Sequence, residues 1–298
     1  MSAGRRILIL GGGGQLGRSL AAHFAGAGEV TAADRRMADL AAPDALRQLV
    51  RELRPEVILN AAAYTAVDRA EQEPALAWAV NAEAPRVLAE EARALDALLV
   101  HYSTDYVFDG AKAGAWTEDD PPAPLNAYGA SKLGGERAIS AVGGRALVFR
   151  TSWVYAAEGK NFLSTMLRLG RERDRLCVVD DQGGAPTPAG ELALGTRTIV
   201  DGVLAGRFGS AGEWAGLYHM SCAGATSWCG FARAIFARAG GPAPAVEAIR
   251  SEEYPTPARR PLNSVLSNEK LAARFGVRLP AWEQALDGVM NELKRGQG

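Results

Sequence analysis

Four consecutive glycines, Gly11 to Gly14, separate a short apolar run, Ile7-Leu8-Ile9-Leu10, from a segment whose apolar residues Leu16, Leu20 and Phe24 recur at helical spacing. This is the pattern of a strand that turns tightly into a helix. Glycines let the backbone approach a pyrophosphate closely, and the free N–H groups of the helix's first turn, together with its dipole, favour an anion there. Two registers fit the same letters: Gly12, Gly14 and Gly17 satisfy G-x-G-x-x-G, while Gly11, Gly14 and Gly17 satisfy G-x-x-G-x-x-G. Spacing alone leaves both open.

The next strand, Glu29 to Ala33, runs into Asp34-Arg35-Arg36, about twenty residues beyond the glycines, where the adenosine ribose of a dinucleotide belongs. A carboxylate at that place suits the free 2′-hydroxyl of NAD, and an arginine suits the 2′-phosphate of NADP. The chain carries both, so either cofactor is expected to bind, with a lean to NADPH.

Further along, strand and helix patterns alternate. Leu46, Leu49, Val50 and Leu53 mark one helix face, and Val80, Ala84, Val87 and Leu88 another; Val57 to Asn60, Leu98 to Val100 and Ala146 to Phe149 read as buried strands. A βαβ series of this kind makes an α/β, Rossmann-type doubly wound parallel sheet, whose ligands lie beyond the carboxyl ends of the strands. The glycine loop, Asn60-Ala61-Ala62-Ala63 and Ser103-Thr104 all fall at such ends. The small side chains of Ala61 to Ala63 would let a ribose or nicotinamide pass close to the backbone.

Tyr128 and Lys132 stand four residues apart. On a helix that spacing puts phenol and ammonium on one face. A tyrosine titrates near pKa ~10, and a nearby cation is expected to lower it, making Tyr128 a proton donor tuned by Lys132. The Thr104 hydroxyl is placed to hold a carbonyl.

The chain's 298 residues, 48% hydrophobic and with net charge −1, suffice for two associated domains and give no reason to invoke nucleic acid or a membrane surface. Residues 1–152 are expected to form the cofactor-binding domain and 153–298 mainly the substrate-binding one, with part of 180–222 returning to the first. The second half brings aromatics, amides and arginines into loops around Trp153, Asn161, Asp180 to Pro188 and Tyr254 to Pro261. Two amphipathic helices are expected there, one after a Thr226 cap (Trp228, Phe231, Ile235) and one near the end (Trp282, Leu286, Val289, Met290, Leu293). Cys177, Cys222 and Cys229 lack metal-ligand spacing, and no signal-peptide pattern opens the chain. A cytoplasmic setting without structural zinc is expected.

The glycine loop, residues 60–68 (NAAAYTAVD), 101–108 (HYSTDYVF), Tyr128-x-x-x-Lys132, Arg150 to Tyr155 and Gly184 to Thr187 together resemble the extended short-chain dehydrogenase/reductases, and within them the dTDP-4-dehydrorhamnose reductases. The resemblance implies reduction of the 4-keto group of dTDP-4-dehydro-L-rhamnose with NADPH or NADH, with Thr104, Tyr128 and Lys132 as the catalytic triad. For the cofactor it implies contacts at Gly11, Gly14, Gln15, Leu16, Gly17, Asp34, Arg35, Asp39, Leu40, Ala61, Ala62, Ala63, Tyr128 and Lys132. For the nucleotide sugar it implies Val67, Thr104, Asp105, Tyr106, Phe108, Trp153 and Arg260, the last on the diphosphate. A dehydratase of the same superfamily would follow the threonine with Asp-Glu, whereas Asp105 is followed by Tyr106. A non-catalytic NADP-binding regulatory subunit, or another nucleotide-sugar reductase or epimerase, is the alternative. Some relatives dimerise through a metal held by glutamates, but Ser19 occupies one such position and Glu191 alone is too little. A monomer or homodimer without a metal is expected.

Overall fold

The computed structural model describes residues 4–241 and 243–295. Five strands, β1 (Arg6–Leu10), β2 (Glu29–Ala33), β3 (Val57–Asn60), β4 (Leu98–Thr104) and β5 (Ala146–Thr151), join with the strand Gly216–His219 in one sheet. Its order is Gly216–His219, β5, β4, β3, β1, β2, and every pairing is parallel.

Period-two alternation sends successive strand residues to opposite faces. Ile7 and Ile9, with Val57, Leu59, Leu98 and Val100, enter one core, and Leu8, Leu10, Ile58 and Leu99 the other. Both faces are covered, which is why these strands are apolar throughout. The helices Gln15–Phe24 and Ala189–Leu204 pack on the first face. The helices Pro43–Leu53, Ala84–Ala94 and Ala127–Val142 pack on the second. Glu91, almost fully buried, takes hydrogen bonds from Arg47 and Arg51 at 2.8–2.9 Å and ties the first two of these together.

A π-helical turn, Ala79–Glu83, precedes Ala84–Ala94. It aims Asn81 inward, where its side chain receives the Tyr64 amide at 2.8 Å and donates to Ser131 Oγ at 3.0 Å. Gly135 is needed opposite, since a Cβ there would lie 2.2 Å from the Asn81 carbonyl. The alanine loop after β3 and the helix bearing Tyr128 are thereby held in register.

The second half adds short two-stranded pairs, among them Arg175–Val179 with Ala245–Ile249, and the helices Phe162–Glu172, Trp228–Ala239 and Trp282–Arg295. The helix at Trp228 is capped by Ser227, whose hydroxyl accepts from the Gly230 amide at 2.9 Å. Thr226, expected as the cap, instead pairs with Gly184 in a short antiparallel bridge. Phe231, Trp282 and Leu286 belong to the same core as Ile9 and Val100, so the halves share an interior. Among the described residues no helix is long and apolar enough to cross a membrane.

Candidate active site

A crevice of about 1070 Å³ opens at the carboxyl ends of the strands. Its lining includes Gly11, Gly14, Gln15, Leu16, Asp34, Arg35, Asp39, Leu40, Ala61, Ala62 and Ala63 on one side. Val67, Thr104, Asp105, Tyr106, Tyr128, Lys132 and Trp153 also line it. Segments separated by more than a hundred residues converge because parallel strands present all their carboxyl ends to one edge.

The structure decides the glycine register. Gly11 has φ +78°, and a Cβ on it would stand 2.8 Å from the Ala62 amide nitrogen; a Cβ on Gly17 would stand 2.0 Å from the Gly11 carbonyl oxygen. Gly14 is the helix N-cap, its amide bonded to the Gly11 carbonyl at 2.8 Å. Gly11, Gly14 and Gly17 therefore form the working set, and Gly17 acts through this packing from outside the lining. The first turn carries no acidic side chain, so its free N–H groups suit a diphosphate. Arg18 and Lys160, both in the lining, add cations that the sequence reading did not single out. Arg18 stands directly after the last glycine, in the helix's first turn, and that place was the available signal. Asn161 donates to Gln15 Oε1 at 2.7 Å and so joins the second half to the glycine loop.

At the adenosine end, the Asp34 carboxylate is already engaged, taking the backbone amides of Arg36 and Met37 at 2.9 and 3.2 Å. The Arg35 side chain is 80% exposed, with Asp39 3.9 Å away.

The catalytic candidates lie on β4 and the helix Ala127–Val142. Asn126 caps that helix by accepting the Gly129 amide at 2.8 Å. Glycine follows Tyr128 because a Cβ there would meet the Tyr106 carbonyl at 2.1 Å. The Tyr128 ring stands edge-on to Tyr106, centroids 5.8 Å apart. Thr104 donates to Asp105 Oδ1 at 2.8 Å and accepts from the Tyr106 amide at 3.2 Å. Its hydroxyl also lies near the Tyr128 phenol, whose ionised form it favours.

Electrostatics depart from expectation here. Burial pushes the Tyr128 phenol up to about 12; the Thr104 hydroxyl opposes this, and the Asp105 carboxylate adds to it. Lys132 does not make the phenol acidic. Its ammonium is turned to the Tyr102 carbonyl at 2.6 Å and to His101 Nε2 at 3.3 Å. Burial brings Lys132 itself down to about 8 against the opposing pull of Glu136. Desolvation outweighs pair attraction because protein atoms crowd both groups, Lys132 fully buried and Tyr128 partly exposed to the crevice. The phenol keeps its proton at neutral pH, as an ordinary tyrosine does, and the upward shift makes it a weaker acid than an unperturbed one. Asp105, also buried, is raised to about 6. Behind them Glu136 grips Arg150 at 2.6 and 2.9 Å, with Ser103 Oγ on the same carboxylate.

At the other end Trp153, with a strained φ of +47°, stacks face to face on Trp228 at 3.6 Å, and Phe162 lies 4.7 Å from Trp228. Trp228 and Phe162 also line the crevice, although periodicity suggested only a core role for Trp228. Two expected substrate residues lie apart from this lining. Phe108 is fully buried and stacked on Trp116 at 4.4 Å, since it fills a small apolar cluster beneath the site. The Arg260 guanidinium forms a two-pronged bond to Asp68 at 2.9 and 3.1 Å, which holds that carboxyl below its usual range and engages both terminal nitrogens of the arginine. Among the described residues no group of three or more His, Cys, Asp or Glu side chains is arranged to hold a metal.

The cradle that a Cβ would fill, the free helix amides and the arginines at its rim fit a dinucleotide. Comparison with known proteins agrees. A dTDP-4-dehydrorhamnose reductase of Burkholderia thailandensis is 49% identical over 97% of this chain and 99% of its own length. The enzyme of the same name from Escherichia coli K12 is 43% identical over 96% and 97%. A crystal structure of dTDP-4-dehydrorhamnose reductase from Bacillus anthracis in complex with NADP superposes with a TM-score of 0.89 at 35% identity, covering 97% of this chain and 99% of that one. A Thermus thermophilus UDP-glucose 4-epimerase, 21% identical with a TM-score of 0.74, shares the fold alone. The profile described as RmlD substrate binding domain matches residues 5–295, and the chain belongs to that family.

Proposed function

We propose that this protein reduces the 4-keto group of dTDP-4-dehydro-L-rhamnose to give dTDP-L-rhamnose, using NADPH or NADH. The observation that carries the reading is the meeting of Thr104, Tyr128 and Lys132 in the same crevice as the glycine cradle. A reduced nicotinamide, when bound, supplies the hydride. Thr104 holds the keto oxygen, and the protonated Tyr128 gives its proton to that oxygen as negative charge develops on it. Lys132 faces the nicotinamide ribose with whatever N–H its two internal acceptors leave free. The exposed Arg35 and Arg36 beside the crevice support the lean to NADPH, while the second oxygen of Asp34, whose first takes two backbone amides, keeps NADH open.

The sugar nucleotide lies towards Val67, Asp105, Tyr106 and Trp153, and residues 153–298 act mainly as the substrate-binding half. The protein works in the cytoplasm as a monomer or homodimer, a placement supported by three free thiols. A regulatory subunit would not need the acid and the cation together, and nothing favours that alternative. Loss of reduced-nicotinamide absorbance on adding the authentic ketosugar tests the reading. An unchanged trace with both cofactors, from protein that binds them, would sink it.

A further inference from the structure

His101 stands in the middle of β4, 1% exposed, with both ring nitrogens in contact. Nε2 lies 3.3 Å from Lys132 Nζ, and Nδ1 lies 3.0 Å from the nitrogen end of the Asn60 amide, whose oxygen end is buried without a partner, so that the amide's orientation is to be assigned from the network. The ladder itself creates this trio, since Asn60 at the end of β3 is the register partner of His101. No role assigned above uses it.

A neutral imidazole has one N–H and one lone pair. Burial, and then the charge of Lys132, hold His101 far below the ordinary imidazole value and hence neutral. An ammonium can only donate, so Nε2 must carry the lone pair and Nδ1 the proton. That proton needs an acceptor, which Asn60 can supply only through Oδ1; which end of the amide faces the ring follows from this network. The opposite tautomer is consistent only with a neutral Lys132 amine and the Asn60 NH2 turned to Nδ1. The two arrangements differ by the charge on Lys132.

We infer that His101 and Asn60 are positioning residues for Lys132, forming a buried chain in which Lys132 Nζ–H donates to His101 Nε2 and His101 Nδ1–H donates to Asn60 Oδ1. With the Tyr102 carbonyl at 2.6 Å taking a second N–H, the third is left for the crevice. The chain favours the charged form of Lys132 against its burial. The charge that bears on Lys132 is Glu136 on its own helix, which Arg150 on β5 already pairs, and Tyr128 and Asp105 share the crevice lining with it. None of them is an alternative partner for His101 in the hydrogen bonds observed.

Nitrogen-resolved NMR of the imidazoles in the whole protein reads the tautomer directly. With only three histidines in the chain, His101→Gln assigns the signal. The expected result near neutral pH is a neutral ring protonated at Nδ1; a ring protonated at Nε2, or one titrating to imidazolium, overturns the proposal. This measurement does not depend on the reductase reading. A second arm does: in the ketosugar assay, His101→Leu should move the alkaline limb of kcat down by about one pH unit, because a lost acceptor disfavours the ammonium. His101→Gln, which places an amide oxygen near the position of Nε2, should return the limb. A folded His101→Leu protein with the limb unmoved overturns the proposal, and if that variant fails to fold the tautomer of the wild-type ring decides.

Discussion

Tyr128→Phe removes one oxygen from a site where structure and chemistry can be separated. The ring keeps its edge-on contact with Tyr106. The neighbouring Thr104 retains its bonds to Asp105 at 2.8 Å and to the Tyr106 amide at 3.2 Å, so no buried group is stranded. Loss of one hydroxyl contact then costs the fold about 1 kcal/mol or less. The rate behaves differently. A positioned general acid contributes roughly 10²–10⁴-fold, which is about 2.7–5.5 kcal/mol of barrier. Single-turnover oxidation of NADPH with the ketosugar should therefore slow at least a hundredfold, while NADPH affinity by fluorescence titration and the melting temperature stay close to wild type. A loss of tenfold or less in the chemical step would refute Tyr128 as the acid; an equally large loss of cofactor affinity would refute its separation from binding.

Three further outcomes follow from the same geometry. Gly17→Ala should weaken NADPH binding tenfold or more, since its Cβ would press on the Gly11 carbonyl at 2.0 Å and overpacking costs roughly 1–3 kcal/mol; Gly190→Ala, with nothing within 4 Å and outside the crevice lining, should leave affinity unchanged in the same titration. Glu136→Gln leaves the buried Arg150 charge without its carboxylate, which should destabilise by about 3 kcal/mol and lower Tm by roughly 10 °C in a thermal melt. Asp105→Asn should stabilise. The folded-state pKa of Asp105, about 6, lies above the 3.8 of an ordinary aspartate, so the fold loses stability as pH rises through that interval and carries the whole penalty above it. A gain of up to about 3 kcal/mol near neutral pH, vanishing below roughly pH 4, is the expected melting profile, and a gain that persists in acid would contradict it.

Local rules made much of this protein legible from the chain. The strand, glycine turn and helix over residues 7–24, the buried alternating strands and the helix that carries Tyr128 follow from side-chain periodicity and from steric limits within a few residues. Parallel topology then places Asn60, Thr104 and the glycine loop at one edge, so the crevice could be located before its walls were known. Two features of the wall needed the folded molecule. Whether Gly11 or Gly12 leads the glycine set is settled by the approach of Ala62 and Gly17, and Phe108 and Arg260 turn to a core cluster and to Asp68 because those partners are distant in sequence and adjacent in space. The sign of the Tyr128 shift was likewise beyond the chain alone: Tyr128 and Lys132 do share a helix face, but desolvation sums over every atom packed around a group, and His101 and Tyr102 claim the ammonium. Periodicity is a property of neighbours along the backbone, whereas burial and charge pairing belong to neighbours that only the tertiary fold brings together.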